Sequence, residues 1–216
     1  MMFKFSLKFG ITRVTFLVDV LLDSYTSSYS TLICLYAVHP SSTGLVSSEG
    51  QCFTNNQPCN AYLKSAKFIL AKVGDPRGFL KAAVYNITGT CGTTGIPTGA
   101  PLEVSTNSIS MLTLPTEPAT AQFTFNFSGT TLLVSGTLYV IQVYVYSATV
   151  LDYSNCPCTR YDMGGGDDGN RSYYNWSAWH YGLAKQEIAF EVWGECRAKV
   201  GLHPSKALPI IIDAGS

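Results

Sequence analysis

The chain has 216 residues, 46% of them hydrophobic and only 13% charged, and its 14 basic and 14 acidic side chains cancel. That balance supplies a core and excludes a disordered chain, and the lack of net positive charge argues against a nucleic-acid partner, which needs a basic face. The length suits one large β domain with extensions, or at most two small domains, and so little charge gives weak protection against self-association.

In residues 3–9, FKFSLKF, Phe3, Phe5, Leu7 and Phe9 alternate with Lys4, Ser6 and Lys8. Period two predicts a half-buried strand. In ITRVTFLVDVLL, residues 11–22, Val14, Phe16, Val18, Val20 and Leu22 share one face. The run is interrupted by Asp19 and falls short of the ~20 apolar residues of a membrane span, so no membrane insertion is expected. It reads as β material and not as a cleaved leader.

Residues 24–60 are rich in Ser, Thr, Asn and Gly and read as irregular, with LICLYAV as an apolar island for one short strand. Strands are predicted over 62–73 and 79–87, joined by GDPRG and paired as a hairpin. A Gly/Thr/Pro loop spans 88–101, and a weaker strand 103–113. In AQFTFNF, Ala121, Phe123, Phe125 and Phe127 point one way and Gln122, Thr124 and Asn126 the other. A link at 128–137 leads to an aromatic and β-branched strand at 138–150, and EIAFEVWG at 187–194 closes the series. No helical period and no internal repeat is present. Short strands with Gly/Pro turns imply a sandwich or barrel, and aromatics on two faces favour stacked sheets.

The seven cysteines are an odd number, so one at least is left out of intrachain pairs. Cys52 and Cys59 bracket a short loop that a disulfide could close; otherwise the cysteines read as reduced, small hydrophobes. Cys156-x-Cys158 offers two thiolates, with no second pair to complete structural zinc. No metalloprotease, nucleophile-elbow, Walker or dinucleotide motif occurs, so no catalytic residue and no cofactor is assigned.

The segment GDDGNRSYYNWSAWHY, residues 166–181, is the least ordinary stretch. Asp162, Asp167 and Asp168 are hard oxygen ligands and weak calcium candidates, but the EF-hand template fails, with Tyr173 where Gly and Trp179 where Glu is needed. No metal is therefore assigned. Tyr173, Tyr174, Trp176 and Trp179 suit an end cap of the sandwich, a protein interface or a glycan platform. After Gly194 the chain reads as an extended tail, with Leu208, Ile210, Ile211 and Ile212 as an apolar patch that docks on a partner or on its own domain.

LLDSYTSS at 21–28 and GQCFT at 50–54 are followed by LKSAKFILAKVGDPRG, AAVYNITGTCGTTGIPTGAPL, QFTFNFSG, LVSGTLYVIQVYV, NRSYYNWSAW and IAFEVWGE. This series resembles a family of β-sandwich domains found in tailed-phage virion structural proteins and in bacterial surface proteins. Cys52, where Ser is usual, and Cys156-Pro-Cys158 depart from the family pattern. The resemblance implies an all-β, jelly-roll-like antiparallel sandwich over 21–195; the N-terminal β arm at 1–20 and the extended tail at 196–216 lie outside it and read as this chain's own attachments. It implies a non-enzymatic role in a virion, as a capsid decoration or tail-associated component. Partners would be other copies of the chain and other virion proteins. The arm residues Phe3, Phe5, Leu7 and Phe9 would add strands to a neighbour's sheet edge. The competing expectation is a carbohydrate-binding or adhesion module on a particle or cell surface that touches host glycans.

Overall fold

The computed structural model describes residues 14–26, 31–35, 48–148, 151–152, 154–163, 171–175, 178–181 and 186–200. The expectations placed on Phe3, Phe5, Leu7, Phe9, Asp167, Asp168, Trp176 and the Leu208–Ile212 patch lie outside these residues.

The described residues form two antiparallel sheets with no α-helix among them. The first sheet runs β1 (Val14–Tyr25), β15 (Phe190–Val200), β4 (Ala61–Val73), β11 (Cys156–Met163) and β14 (Gln186–Ile188). β2 (Thr31–Cys34) pairs with β11, while β8 (Ala121–Asn126) and β9 (Leu132–Leu133) pair with β4. The second sheet runs β13 (Ala178–Tyr181), β12 (Arg171–Asn175), β3 (Ser48–Thr54), β10 (Leu138–Ala148), β5 (Gly78–Thr88) and β6 (Ile96–Val104), with β7 (Ile109–Ser110) on β5.

The core between the sheets follows the alternation of the strands. β4 turns Leu63, Ala66, Phe68 and Leu70 inward, β5 Leu80, Ala82 and Val84, and β10 Tyr139, Ile141, Val143 and Val145. Phe125 of β8, fully buried as its alternation predicts, meets Phe68 edge-on at 5.9 Å. Burying each such ring contributes about 2 kcal/mol, and truncating Phe68 to Ala would cost about 3–5 kcal/mol because the cavity cannot collapse fully.

Three expectations are corrected. Residues 62–73 and 79–87 do not pair: β4 belongs to the first sheet and β5 to the second, and the GDPRG turn carries the chain between layers. Each strand has an inward apolar face, and stacking those faces buries both. Within residues 24–60 the described part holds a strand beyond the one expected: β3 is an interior strand of the second sheet, held between β10 and β12. Its polar sequence hid it, because Ser48, Glu49 and Gln51 are buried. Part of the predicted 88–101 loop is strand, as β6 begins at Ile96, and the 103–113 strand is interrupted at 105–108 and ends in a 3-10 turn at Met111–Thr113.

β1 pairs with β15 from Val14↔Val200 to Tyr25↔Phe190, so strands run through both positions 20 and 195. β15 meets β4 only as far as Cys196↔Ala61. Beyond that point β1 and β15 continue as a two-stranded ribbon.

Candidate functional site

The outer face of the second sheet carries the densest set of unusual side chains. Directly paired residues of an antiparallel ladder share a face. Ala83, Gln142, Gly50 and Ser172 therefore form one row across β5, β10, β3 and β12. The next row is Lys81, Tyr144, Ser48, Tyr174 and Trp179. Tyr85, opposite Val140, flanks the first row on its other side.

Tyr85 and Trp179 are four steps apart in the strand order, or ~19 Å across a flat sheet. Their ring centroids are 6.3 Å apart. The sheet curls over its own outer face, with β6 brought near β12 and β13. Trp179 also meets Tyr174 edge-on at 5.4 Å. The row beneath is shut from solvent: Ala83 and Ser172 are 0% exposed and Gln142 5%. The Gln142 Oε1 and the Ser172 Oγ have no hydrogen-bond partner among the described residues. Gly50 makes the close approach of this row feasible, since a Cβ there would stand 2.8 Å from Ser172 Oγ. Burial pushes the Tyr85 phenol pKa up, and burial, followed by the neighbouring Tyr85 and Tyr146, does the same to Tyr144. Tyr85, Tyr144, Tyr174 and Trp179 are all half-buried.

The sequence grouped Tyr173 with Tyr174, but adjacent strand residues face opposite ways. Tyr174 joins the outer ring cluster. Tyr173 takes the inner face, stacked on His180 at 5.4 Å with the Arg171 guanidinium 5.0 Å from its ring. Arg171 Nε donates to Glu49 Oε2 at 2.6 Å, fastening β12 to β3. Gln51 on the same inner face accepts from the Ile188 N–H at 3.0 Å, bridging the two sheets. Tyr85, Tyr144, Gln142 and Ser172 were missed as site residues. Alternation in the 138–150 strand does place Gln142 and Tyr144 opposite the core positions, but nothing local shows what covers them.

The outer face of the first sheet differs. There the polar groups find partners: Lys67 Nζ, Trp193 Nε1 and Gln122 Nε2 all donate to Glu191, at 2.9, 2.7 and 2.9 Å. Burial opposes the ionised form of Glu191, yet these hydrogen bonds and the Lys67 charge outweigh it and lower its pKa.

Six cysteines form disulfides, which corrects the reading of reduced thiols. Cys52 bonds Cys91 and not Cys59; Cys59 bonds Cys196, and Cys34 bonds Cys158 across the β2–β11 ladder. These partners are remote in sequence, so spacing did not reveal them. Cys156 keeps its thiol, with its Sγ 4.0 Å from that of Cys158. Burial, followed by the charge of Asp152, pushes the Cys156 thiol up to about 11.

A cleft of about 540 Å³ opens between β1 and β3, lined by Asp23, Tyr25, Phe53, Glu187 and the Cys52–Cys91 bridge among others. Asp23 accepts there from the backbone of Ser24 at 2.9 Å and Thr54 at 2.8 Å, and so ties β1 to β3. Asp162, one of the weak calcium candidates, accepts from the Tyr25 hydroxyl at 2.7 Å.

At the base of the ribbon, where Leu17 pairs with Arg197 and Val18 with Cys196, Leu17 and Val18 are 60% and 47% exposed. Consecutive strand residues point to opposite faces, so neither face is covered at this point. The Cys59–Cys196 disulfide anchors its base.

Taken together these features define a disulfide-braced, all-β protein of two antiparallel sheets, with an aromatic outer face and a two-stranded ribbon. No family model matches the chain, and no curated protein matches it. No helix among the described residues is long and apolar enough to cross a membrane.

Proposed function

We propose that the chain is a non-enzymatic structural protein of an assembled virion, a capsid decoration or tail-associated component joined to its neighbours through the ends of the chain. A jelly-roll-like form of the sandwich and the arms at 1–20 and 196–216 belong to this reading. The observation that carries it is the β1–β15 ribbon, which outruns β4, together with Leu17 and Val18, exposed on opposite faces at its base. An isolated two-stranded ribbon is marginal in water, and apolar residues on both of its faces suit burial against other subunits or other virion proteins. Three disulfides suit an oxidising location such as a particle surface outside the cell. The test is the solution mass of the full chain by light scattering, beside the double variant Leu17→Glu, Val18→Lys. The expected result is an oligomer for the parent and a monomer for the variant. A parent that stays monomeric at high concentration sinks the proposal.

A second reading is a carbohydrate-binding or adhesion module on a particle or cell surface. The half-buried ring cluster of Tyr85, Tyr174 and Trp179 favours it. Retention of the full chain by an immobilised glycan tests this reading independently of its mass.

A further inference from the structure

We infer that Cys34, Cys156 and Cys158 form a redox-gated site for a thiophilic divalent ion of the zinc class, which the three sulfurs hold once the Cys34–Cys158 bridge is reduced. The site lies on the first sheet and depends on neither functional reading above.

Cys156-x-Cys158 alone supplies two sulfurs, too few for zinc. The fold brings a third from 124 residues before Cys158. Cys34 of β2 stands directly opposite Cys158 of β11 in the ladder, and Cys156, two residues before Cys158, shares its face. The three Sγ atoms lie within 4.8 Å of one another, with those of Cys156 and Cys158 4.0 Å apart. Thiolates held ~2.3 Å from a tetrahedral ion stand roughly 3.8 Å from each other. Cys156 and Cys158 already have that spacing, and cutting the bridge frees Cys34 to take it.

Buried cysteines commonly serve as small apolar fillers. These two do not fill the core between the sheets. Thr159 lies opposite the inward Leu70, so Cys156 and Cys158 point the other way, yet both are fully buried. The way in is through β2. Cys34 is only partly buried, and β2 is four residues long and pairs with β11 alone among the described residues. A short edge strand opens locally at low cost once its covalent staple is cut.

The chemistry takes two steps. A phosphine or a dithiol first gives two electrons to the Cys34–Cys158 bond. A phosphine leaves as its oxide, with water supplying the oxygen and two protons; a dithiol leaves as a disulfide and gives up its own two. Cys34 and Cys158 become thiols. The ion then displaces three thiol protons to solvent and forms three metal–sulfur bonds, and water fills the fourth position. Coordination deprotonates a thiol outright, so Cys156 serves as a ligand although burial keeps it protonated otherwise. Three thiolates around a divalent ion leave one net negative charge, and around a monovalent ion two. A buried site favours the smaller charge. The bridge and the ion are thus alternative staples of β2 to β11.

The test titrates cadmium, a zinc-like ion whose bonds to thiolates absorb in the ultraviolet, into the full-length protein, either oxidised or reduced by a water-soluble phosphine without denaturant. Near-UV circular dichroism checks folding. The oxidised protein is expected to show no band and the reduced protein a thiolate–cadmium band. Cys156→Ala should lower that band by about one third, one sulfur of three, and weaken binding at least tenfold, since even partners outside the ligand shell act on roughly that scale. If Cys156→Ala does not fold, alkylation of the reduced parent decides. Cadmium should then protect Cys34, Cys156 and Cys158 together from iodoacetamide, relative to the same protein without the ion. A reduced parent that binds no cadmium, a folded Cys156→Ala protein with the parental band and affinity, or protection that omits Cys34 would each overturn the site. Equal binding by the oxidised protein would overturn the redox gate.

Discussion

Arg171 and Glu49 form the closest buried ion pair between β12 and β3, with Arg171 Nε 2.6 Å from Glu49 Oε2. The pair lies beneath the hairpin that carries Tyr174 and Trp179, so the state of Glu49 bears on how firmly the aromatic face is held. Burial pushes the Glu49 carboxyl from 4.5 up to about 7, against the opposing pull of Arg171. A carboxyl that holds its proton more tightly when folded contributes most stability below its unfolded pKa. That contribution is lost as pH rises through the folded value. Urea unfolding across pH 4.5 to 7 is therefore expected to show stability falling with a slope approaching one proton in this window. Glu49→Gln should remove that slope. Parallel profiles for the two proteins would show that Glu49 is not the group responsible.

Gly50 is the point of closest packing on the outer face. Its replacement by Ala puts a methyl 2.8 Å from Ser172 Oγ and 3.0 Å from Val140 Cγ1. Both neighbours lie in the buried part of the face, so little room exists to give way. Gly50→Ala is expected to lower stability by about 1–3 kcal/mol in denaturant unfolding. A neutral or stabilising result would mean that β12 lifts off β3 more easily than the pairing suggests.

The Cys59–Cys196 bridge closes a sequence separation of 137 residues at the base of the ribbon. Replacing both cysteines by Ser is expected to cost about 2–5 kcal/mol, mostly by freeing the unfolded chain. The same variant should show faster amide exchange in β1 and the end of β15 than in β4. Uniform destabilisation with unchanged local exchange would show that the bridge does not hold the ribbon.

Cys156 is fully buried, and its thiol is pushed up to about 11. The thiolate is the reactive form. Iodoacetamide at pH 8 is expected to leave Cys156 unlabelled in the native protein and to label it within minutes in guanidinium. Peptide mapping should find that single alkylated site and three bridges. Rapid labelling under native conditions would place the thiol at the surface.

The all-β class, the strands over 62–73 and 138–150, the alternation of 121–127 and the absence of helical period were legible in the sequence. They follow from the two-residue repeat of a strand, which is written locally in the order of side chains. Pairing is not local. GDPRG has the chemistry of a hairpin turn, yet only the stacking of two apolar faces decides that β4 and β5 lie in different sheets. Polar β3 read as loop because Glu49 and Gln51 find their partners on Arg171 and Ile188, far along the chain. Cys52 lay nearer to Cys59 in sequence than to Cys91, and the fold chose Cys91. The aromatic residues near 175 stood out at once as a candidate site, but their faces did not. Tertiary structure turned Tyr173 to the inside and brought Trp179 to Tyr85, because a twisted sheet that curls joins residues its strand order keeps apart.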